Sequence, residues 1–285
     1  MSKQDDSPLI LVTGATDGIG KQTAIMLAER GARVIVHGRS PERTAAAAED
    51  VARSAGTPWV GQASADLSSL AEIHGMAEQI LATYDRLDVL VNNAGVFMRE
   101  RALTRDGFES TYAVNFLAPF VLSHLLVPHL ARSASARVIN VSSNTHQRTR
   151  FDWENLQGER EWDDSLAYAS SKLALVLFTV EFARRVAGHG ISSNALHPGV
   201  VSTKLLKEGF GVEGLDSLEK GAATSVFLAL SDEGGQATGK YFVEGAATRC
   251  HPLAGDPLTT SKFYERTAAM VGLPALPRPQ RSRGA

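Results

Sequence analysis

The first residues that could do chemistry together are a tyrosine and a lysine four positions apart. Tyr168 and Lys172 open an apolar run, 166–186, that contains no Gly or Pro and predicts a helix. Residues four apart on a helix lie on the same face, so the phenol and the ammonium would share one small space. A nearby positive charge favours the phenolate and lowers the tyrosine pKa from its usual value of about 10. The pair therefore predicts general acid–base catalysis, although this spacing also occurs by chance.

A glycine-rich turn near the start of the chain predicts a nucleotide site. Residues 9–12 are a short apolar run, typical of a strand buried on both faces, and residues 34–36 are a second one. Gly14, Gly18 and Gly20 lie between them, followed by a helix-like stretch. Such a strand, turn, helix and strand form a βαβ unit. The glycines let the backbone approach a pyrophosphate, whose charge is met by free N–H groups at the helix start.

The end of the second strand indicates which dinucleotide would bind. Folds that bind NAD usually place an acidic residue there, which accepts hydrogen bonds from the adenosine ribose. Here the strand is followed by Arg39 and Ser40, and we expect no carboxylate nearby. A guanidinium can bind a 2′-phosphate through two hydrogen bonds. We therefore predict NADP(H) over NAD(H); the alternative is that Arg39 only solvates a loop.

Strands and helices alternate along the rest of the chain, which predicts one doubly wound parallel sheet with helices on both faces. Further strands are expected at 59–63, 88–91, 137–141, 191–196 and 239–243, and further helices at 42–54, 70–84, 109–130 and 220–230. The α/β domain would thus be Rossmann-type, with seven strands. Pro119 and Pro128 should kink or end the helix at 109–130. Segment 201–218 mixes glycines with apolar side chains, the composition of a mobile substrate lid.

The two ends of the chain differ from the rest in composition. Residues 1–8 form a polar, acidic tail without the apolar run of a signal peptide. The predicted catalytic domain spans residues 9–250. Residues 251–285 form a C-terminal extension, and its Pro- and Arg-rich part from Leu273 is expected to be disordered or to pack on a neighbouring molecule.

The composition is that of an ordinary globular protein. Of 285 residues, 44% are hydrophobic and 21% charged, and the net charge of −2 gives no general attraction to nucleic acid or anionic membranes. The most apolar stretch, 173–178, is too short to cross a bilayer. Cys250 is the only cysteine, so no intrachain disulfide can form, and the scattered histidines predict no metal site. We expect a cytoplasmic protein.

Polar and small residues follow several predicted strands, where ligands bind in open parallel sheets. Asp66 could accept a hydrogen bond from an adenine amino group or cap a helix. The small residues at 92–95 would let a flat ligand lie on a strand end. Ser142 and Ser143 follow the fifth strand. Asn115 lies in an apolar helix, where an amide is more often a satisfied core residue.

These motifs, in this order, resemble the classical short-chain dehydrogenase/reductase family. They are Thr13-Gly14-x-x-x-Gly18-x-Gly20, Asn92-Asn93-Ala94-Gly95, Asn115, Ser143, Tyr168-x-x-x-Lys172 and Pro198-Gly199-x-x-x-Thr203. The match covers residues 9–243. Segment 155–159 and the residues around Tyr168 are similar to the retinol-dehydrogenase-like branch. The membrane anchor of several animal members is not recognisable, so we do not expect a membrane-borne retinoid as substrate.

The resemblance implies an oxidoreductase that interconverts a carbonyl and an alcohol. Tyr168 would be the acid in reduction and the base in oxidation, Lys172 would lower its pKa and hold the nicotinamide ribose, and Ser143 would hydrogen-bond the substrate oxygen. Motif register alone separates Ser143 from Ser142. Asn115 would hold a water that links Lys172 to solvent. The implied cofactor residues are Gly14, Asp17, Gly18, Ile19, Gly20, Arg39, Ser40, Asp66, Leu67, Asn93, Ala94, Gly95, Val141, Tyr168, Lys172, Pro198, Gly199, Val201 and Thr203.

Aromatic and aliphatic residues are expected to form the substrate wall. They are Phe97, Met98, the loop 146–162 with Phe151, Trp153 and Trp162, and the lid residues Leu205, Leu206 and Phe210. They favour a hydrophobic or aromatic substrate, although the loop aromatics could instead pack in the core. His146 could orient the substrate or be an ordinary loop residue. Asp17 stands where some NADP-using members carry a basic residue, so Arg39 alone supports the preference for NADP.

Two other functional classes fit parts of the pattern. An epimerase or dehydratase that keeps its nucleotide bound shares the Tyr-x-x-x-Lys motif, but the glycine spacing and the modest length argue against it. A cofactor-sensing protein with little turnover would not need Ser143, Tyr168 and Lys172 together. Helices 109–130 and 166–187 are apolar around much of their circumference, which predicts subunit contacts in a homodimer or homotetramer.

Overall fold

A single sheet forms the centre of the protein, of which the computed structural model describes residues 7–278. The strands are β1 (Leu9–Val12), β2 (Arg33–Gly38), β3 (Val60–Ser64), β4 (Val89–Asn92), β5 (Ala136–Val141), β6 (Ile191–His197), β7 (Tyr241–Val243) and β8 (Ala246–Thr248). Their order in the sheet is β3-β2-β1-β4-β5-β6-β7-β8. Strands β1 to β7 run parallel and β8 is antiparallel to β7. The predicted doubly wound α/β fold is confirmed.

The eighth strand was not predicted from the sequence. It returns through a two-residue turn in which Glu244 and Gly245 both have positive φ, 50° and 76°. This geometry is that of a type I′ hairpin turn, which matches the twist of the two strands it joins. Asn-Gly and Asp-Gly are the usual signals for such a turn. The sequence here is Glu-Gly followed by three small residues, 246–248, which does not indicate a hairpin or a strand.

Helices cover both faces of the sheet. They are α1 (Gly18–Glu29), α2 (Pro41–Ala55), α3 (Leu70–Thr83), α4 (Ser110–Tyr112), α5 (Ala118–Leu130), α6 (Asp164–Arg185), α7 (Leu218–Leu230), α8 (Asp232–Gln236) and α9 (Pro257–Met270). Side chains alternate between the faces along a strand. Leu9 and Leu11 therefore pack with α3, α5, α6 and α9, whereas Ile10 and Val12 pack with α1, α2 and α7.

The helix predicted at 109–130 is continuous from Ser110 to Leu130 but contains a π-helical turn at Ala113–Leu117. Pro119 lies two residues after this turn and has no N–H to donate to the carbonyl of Asn115. The main chain therefore adapts with a wider turn, a feature often found at functional sites. Pro128 lies inside α5 without ending it.

The C-terminal helix α9 covers the two most apolar helices. Tyr264 of α9 donates a hydrogen bond to Nε2 of His124 in α5, at 2.5 Å. The helices Ser110–Leu130 and Asp164–Arg185 are long and apolar enough to cross a membrane, but 83% and 72% of their apolar windows are buried inside the protein. The apolar surface that predicts subunit contacts is therefore used within one chain. A dimer or tetramer stays a prediction without that support.

The last described residues pack against α6. Glu181 of α6 is fully buried, and Arg278 donates to both of its carboxylate oxygens at 2.7 and 2.6 Å. Arg185 donates to the Leu276 carbonyl. The segment from Leu273 was expected to be disordered or to pack on another molecule; as far as residue 278 it packs on its own chain. Residues 279–285 lie outside the described part.

Candidate active site

A cavity of about 1680 Å³ opens at the carboxyl ends of the parallel strands. It extends from the glycine turn after β1 to the predicted lid. All residues that the sequence assigns to the cofactor line it, as do Ser143, Phe97, Met98, Leu205, Leu206 and Phe210. Asn115 and His146 lie outside its wall. Arg43, Asn144 and Thr145 also contribute to the lining and were not predicted from the sequence.

The turn between β1 and α1 brings the backbone close to the end of β4. A Cβ atom on Gly14, which has a φ of +62°, would lie 2.8 Å from Cα of Ala94. A Cβ atom on Gly20 would lie 2.3 Å from the carbonyl oxygen of Gly14. Both contacts exclude a side chain, so the turn requires glycine at these positions. Asp17 caps α1 by accepting a hydrogen bond from the N–H of Gly18 at 2.8 Å.

His37 at the end of β2 ties the glycine turn to the sheet. Its Nδ1 accepts a hydrogen bond from the N–H of Gly14 at 3.1 Å, and its Nε2 donates to the carbonyl of Ala65 at 3.2 Å. Burial lowers the pKa of His37 to about 4, so the ring is neutral over the physiological range. This role of His37 was not predicted from the sequence. The available signal was a histidine that ends an otherwise apolar strand.

Two arginines line the end of the cavity beside β2. Arg39 follows β2, and Arg43 lies one turn further along, in α2. Ser40 caps α2 by accepting a hydrogen bond from the N–H of Arg43 at 3.3 Å, and its hydroxyl donates to the carboxylate of Glu42 at 2.6 Å. The expectation that no carboxylate lies near this strand end is therefore wrong. Because Ser40 is occupied by these two bonds, the arginines are the better partners for a phosphate.

Two polar residues hold the neighbouring strand ends in place. Asn93 donates from Nδ2 to the carbonyl of Thr13 at 2.8 Å, which joins the ends of β4 and β1. Asp66 accepts a hydrogen bond from the N–H of Ser68 at 2.9 Å, while Ser69 caps α3. Asp66 therefore shapes a turn in the cavity wall and does not cap the helix, the alternative considered for it.

Ser143, Tyr168 and Lys172 lie side by side in the cavity wall. The hydroxyl of Ser143 is close enough to that of Tyr168 to lower the pKa of the phenol. Nζ of Lys172 lies 5.6 Å from the centroid of the Tyr168 ring and donates to the carbonyl of Val141 at 2.9 Å. Ser142 is buried, and its hydroxyl donates to the carbonyl of Lys172 at 2.9 Å. The geometry therefore favours Ser143 as the serine that faces a substrate.

Burial dominates the ionisation of this group. It raises the pKa of Tyr168 to about 12, and the smaller effect of the Ser143 hydroxyl lowers it. It also lowers the pKa of Lys172 to about 8. The expectation that Lys172 lowers the pKa of Tyr168 is thus wrong: with only the groups of this protein around it, Tyr168 has a pKa above its usual value. The reason is that the ammonium is itself desolvated and donates to the main chain, so its charge counts for less than the burial of the phenol.

Asn115 lies behind the cavity wall, beside Lys172. Its side chain is satisfied by the main chain of Val96, since Nδ2 donates at 2.9 Å and Oδ1 accepts at 2.7 Å. A Cβ atom on Gly95 would lie 3.4 Å from Oδ1 of Asn115 and 3.5 Å from Nζ of Lys172. Gly95 therefore separates the two polar groups with no side chain between them. The water predicted at Asn115 stays a prediction.

Three aromatic rings form the substrate end of the cavity. The ring of Phe97 lies 4.6 Å from that of Phe210 and 5.5 Å from that of Tyr168. The rings of Phe210 and Tyr168 are 5.4 Å apart. Phe210 belongs to the predicted lid and Phe97 to the loop after β4. Tyr168 is therefore covered by an apolar contact between two separate segments.

Most of the loop 146–162 lies away from the cavity. His146 is fully buried; its Nδ1 donates to the carbonyl of Ser143 at 2.6 Å and its Nε2 accepts from the N–H of His251 at 3.2 Å. The predicted substrate contact of His146 is therefore wrong, because both ring nitrogens serve the main chain. Phe151 and Trp153 pack against Phe263 of α9, at 5.7 and 6.4 Å, and thus belong to the core. Trp162 packs over Gly158 instead of the cavity.

Comparison with known proteins identifies the family. Residues 8–211 match the family model for short chain dehydrogenase. The chain belongs to the short-chain dehydrogenase family. It is 38% identical to human retinol dehydrogenase 13 over 282 residues, which cover 93% of this chain and 85% of that protein. It is 37% identical to Bos taurus retinol dehydrogenase 12 over 273 residues, with 93% and 86% covered. The retinol-dehydrogenase-like branch of the family is thus confirmed.

Two solved structures of similar fold support this membership. An uncharacterized protein from Mycobacterium paratuberculosis has a TM-score of 0.78 and 30% identity, over 95% of this chain and 97% of that one. The Pseudomonas aeruginosa RhlG/NADP active-site complex has a TM-score of 0.67 and 28% identity, over 82% and 93%. As a short-chain dehydrogenase, the protein is an oxidoreductase that uses a nicotinamide cofactor to interconvert a carbonyl and an alcohol.

The cavity of this short-chain dehydrogenase fits a nicotinamide nucleotide. The first turn of α1 lines it, so main-chain N–H groups are available to a pyrophosphate. The contact between Gly14 and Ala94 leaves a backbone cradle that any side chain would fill. At the carboxyl end of β6, Nδ1 of His197 is buried and has no hydrogen-bond partner among residues 7–278. A polar ligand group beside His197 would satisfy it.

Proposed function

We propose that this protein is an NADP(H)-dependent oxidoreductase that acts on hydrophobic or aromatic carbonyl compounds and the corresponding alcohols. One observation carries the proposal. A single cavity holds Ser143 and Tyr168 beside Lys172, with two arginines at one end and an apolar wall at the other.

The cofactor preference rests on the two cations at the adenosine end. Arg39 and Arg43 are exposed at the cavity wall, where guanidinium groups can bind a 2′-phosphate through paired hydrogen bonds. The first turn of α1 would hold the pyrophosphate, and Lys172 would hold the nicotinamide ribose. When bound, the nicotinamide supplies or accepts the hydride. The similarity to RhlG, whose solved structure is an NADP complex, supports this preference.

The state of Tyr168 suits carbonyl reduction. A phenol with a pKa near 12 stays protonated at neutral pH, so it can donate its proton to a carbonyl oxygen that gains negative charge. The hydroxyl of Ser143 is close enough to Tyr168 to donate to the same oxygen and stabilise that charge. Lys172, with a pKa near 8, can hold or release a proton at neutral pH. In the reverse direction Tyr168 must first lose its proton, which burial opposes.

The substrate class follows from the rings and aliphatic side chains at the other end. Phe97, Phe210 and Leu205 line the cavity next to Tyr168. Aromatic rings packed edge to face bind other aromatic or apolar groups well. Among ketones and aldehydes, we therefore expect those with an aromatic or branched apolar body to be turned over with the lowest KM.

The proton-transfer role is tested with Tyr168→Phe. NADPH consumption is followed over a panel of ketones and aldehydes, and NADPH binding is measured by its fluorescence. We expect kcat to fall by about 10²- to 10⁴-fold with NADPH affinity unchanged, because only the transferable proton is lost. Full turnover in this variant contradicts the proposal. A nucleotide that stays tightly bound after purification would favour an epimerase or dehydratase, and a wild-type protein without turnover would favour a cofactor sensor.

The cofactor preference is tested with Arg39→Ala and Arg43→Ala. We expect each to weaken NADPH binding about tenfold or more and to leave NADH binding unchanged, because only NADPH carries the 2′-phosphate. Arg53→Ala is a matched control on the same helix, since Arg53 is exposed, pairs with Asp50 and does not line the cavity. Equal losses for both nucleotides would remove the phosphate-binding role of the arginines.

A further inference from the structure

The lid is joined at its base but reaches over the cavity as a separate loop. The carbonyl of Val200 accepts hydrogen bonds from the N–H groups of Leu215 and Asp216, at 2.9 and 3.0 Å. The carboxylate of Asp216 accepts in turn from the N–H of Val200, at 2.8 Å. These bonds tie the two ends of the lid together. They do not fix the position of its tip, residues 206–210, over the site.

Arg99 connects that tip to two other segments. Its Nε donates to the carbonyl of Glu208 in the lid at 3.3 Å, and its Nη1 donates to the carboxylate of Asp164 at 3.1 Å. Asp164 lies in the first turn of α6, the helix that carries Tyr168. The guanidinium carbon also lies 5.5 Å from the centroid of the Phe97 ring. One side chain therefore joins the lid, the loop after β4 and the start of α6.

The bond to Glu208 fixes the residues that cover the general acid. A Cβ atom on Gly209 would lie 2.9 Å from Cβ of Phe97, so the lid backbone is packed directly on that residue. The next residue, Phe210, contacts both Phe97 and Tyr168. Because these residues follow one another, movement of Glu208 away from Arg99 would withdraw Phe210 from Tyr168.

We propose that Arg99 is a positioning residue that holds the lid closed over Tyr168, and that breaking its two bonds opens the substrate end of the cavity. Arg99 does not line the cavity, so it acts through Glu208 and Asp164 and not on the substrate. Its side chain is 58% exposed, and exposed ion pairs of this kind are weak enough to break and reform during turnover. The catalytic consequence rests on the proposed function, whereas the closure itself does not.

The kinetic test compares Arg99→Ala with Arg101→Ala. Arg101 is an exposed arginine two residues further on, for which no ion pair or hydrogen bond is found within residues 7–278. We expect Arg99→Ala to raise KM for an aromatic ketone about three- to fivefold, with kcat unchanged or higher and NADPH affinity unchanged. A lid that opens faster also releases product faster, which is why we expect KM to rise while kcat does not fall. Arg99→Lys should recover part of the KM, since an ammonium can pair with Asp164 but cannot make both bonds.

Limited proteolysis tests closure without any substrate. Lys204 and Lys207 lie in the lid, with side chains 72% and 71% exposed, and trypsin cleaves after lysine only when the backbone can open locally. We expect cleavage at these lysines to be several-fold faster in Arg99→Ala than in Arg101→Ala. Cleavage elsewhere should be equal, except at positions 99 and 101, where each variant lacks the arginine that was replaced. Equal lid cleavage and equal KM in the two variants would overturn the proposal. If no carbonyl substrate is turned over, the proposed function fails but the cleavage rates still decide whether Arg99 closes the lid.

Discussion

The two ends of the cavity are held by different kinds of contact. At the cofactor end, the glycine turn is fixed by close backbone contacts and by the buried ring of His37. At the substrate end, the lid is held by the exposed side chain of Arg99 and by a contact between Phe97 and Phe210. The first end cannot change without disturbing the sheet. The second can change its side chains while the sheet stays intact, which is how one fold can accept different substrates.

The largest effect that would test this contrast comes from two glycines with nearly the same backbone angle. Gly14 has a φ of +62° and would place a Cβ 2.8 Å from Ala94, whereas Gly211 in the lid has a φ of +65° and no atom within 4 Å. Both substitutions by alanine cost about 1–2 kcal/mol of backbone strain, but Gly14→Ala adds about 1–3 kcal/mol of overpacking. We expect Gly14→Ala to lose NADPH binding and Gly211→Ala to keep it. Equal losses in unfolding free energy and cofactor affinity would contradict the contrast.

The second largest effect is expected at Ser143 and Ser142, where the cofactor end and the substrate end of the cavity meet. Ser143→Ala removes the hydroxyl that lies beside Tyr168, and we expect kcat to fall by about 10²- to 10³-fold with NADPH affinity unchanged. Ser142→Ala removes the bond to the carbonyl of Lys172 and should cost about 1 kcal/mol of unfolding free energy, with a smaller loss of kcat. If Ser142→Ala has the larger kinetic effect, the assignment of the catalytic serine is reversed.

Low pH should destabilise the cofactor end of the cavity, because His37 becomes protonated there. Its pKa is lowered from 6.5 to about 4 in the folded protein, so its stabilising contribution is complete above pH 6.5 and is lost as the pH falls to about 4. The shift corresponds to roughly 3 kcal/mol of unfolding free energy. We expect His37→Gln to be less stable than the wild type at pH 7 and to lose less stability on acidification, as measured by urea unfolding at several pH values.

A second histidine, His124, is also buried, so the pH dependence of the wild type alone cannot be assigned to His37. His124 in α5 also has its pKa lowered to about 4 by burial, so it contributes to the acid sensitivity of both proteins equally. The difference between the two pH profiles therefore isolates His37. Parallel profiles would show that His37 does not hold the glycine turn in its neutral form.

The smallest effect should be confined to the substrate end. Phe210→Ala removes two ring contacts of about 0.5–1.5 kcal/mol each, and we expect kcat/KM for an aromatic ketone to fall about tenfold. NADPH affinity should change little, and the loss of unfolding free energy should not exceed about 1–3 kcal/mol. Leu215→Ala is the matched lid control, because Leu215 is 94% exposed and does not line the cavity. A large loss of NADPH affinity in Phe210→Ala would show that the two ends are not separable.

The sequence predicted the fold and the set of residues that meet at the glycine-turn end of the cavity, because both depend on local patterns. A buried strand, a glycine turn and a helix follow one another in the chain, so the site at residues 9–20 is visible without tertiary information. The substrate end was predicted less well. His146, Phe151 and Trp153 belong to a loop next to the motif, but whether a loop side chain faces a cavity or the core depends on what packs against it. Here α9 and His251, which come about a hundred residues later, take up these side chains.

The amino-acid sequence by itself determined the order of the first seven strands and of the main helices between them, the glycines at the phosphate turn, and the presence of Tyr168 and Lys172 on one helix face. These follow from spacing and steric limits within short segments. Tertiary structure alone decided that burial raises the pKa of Tyr168, that α9 covers the apolar helices, and that Arg99 joins three segments at the lid. Desolvation and such contacts depend on residues far apart in the chain, and no local pattern records them.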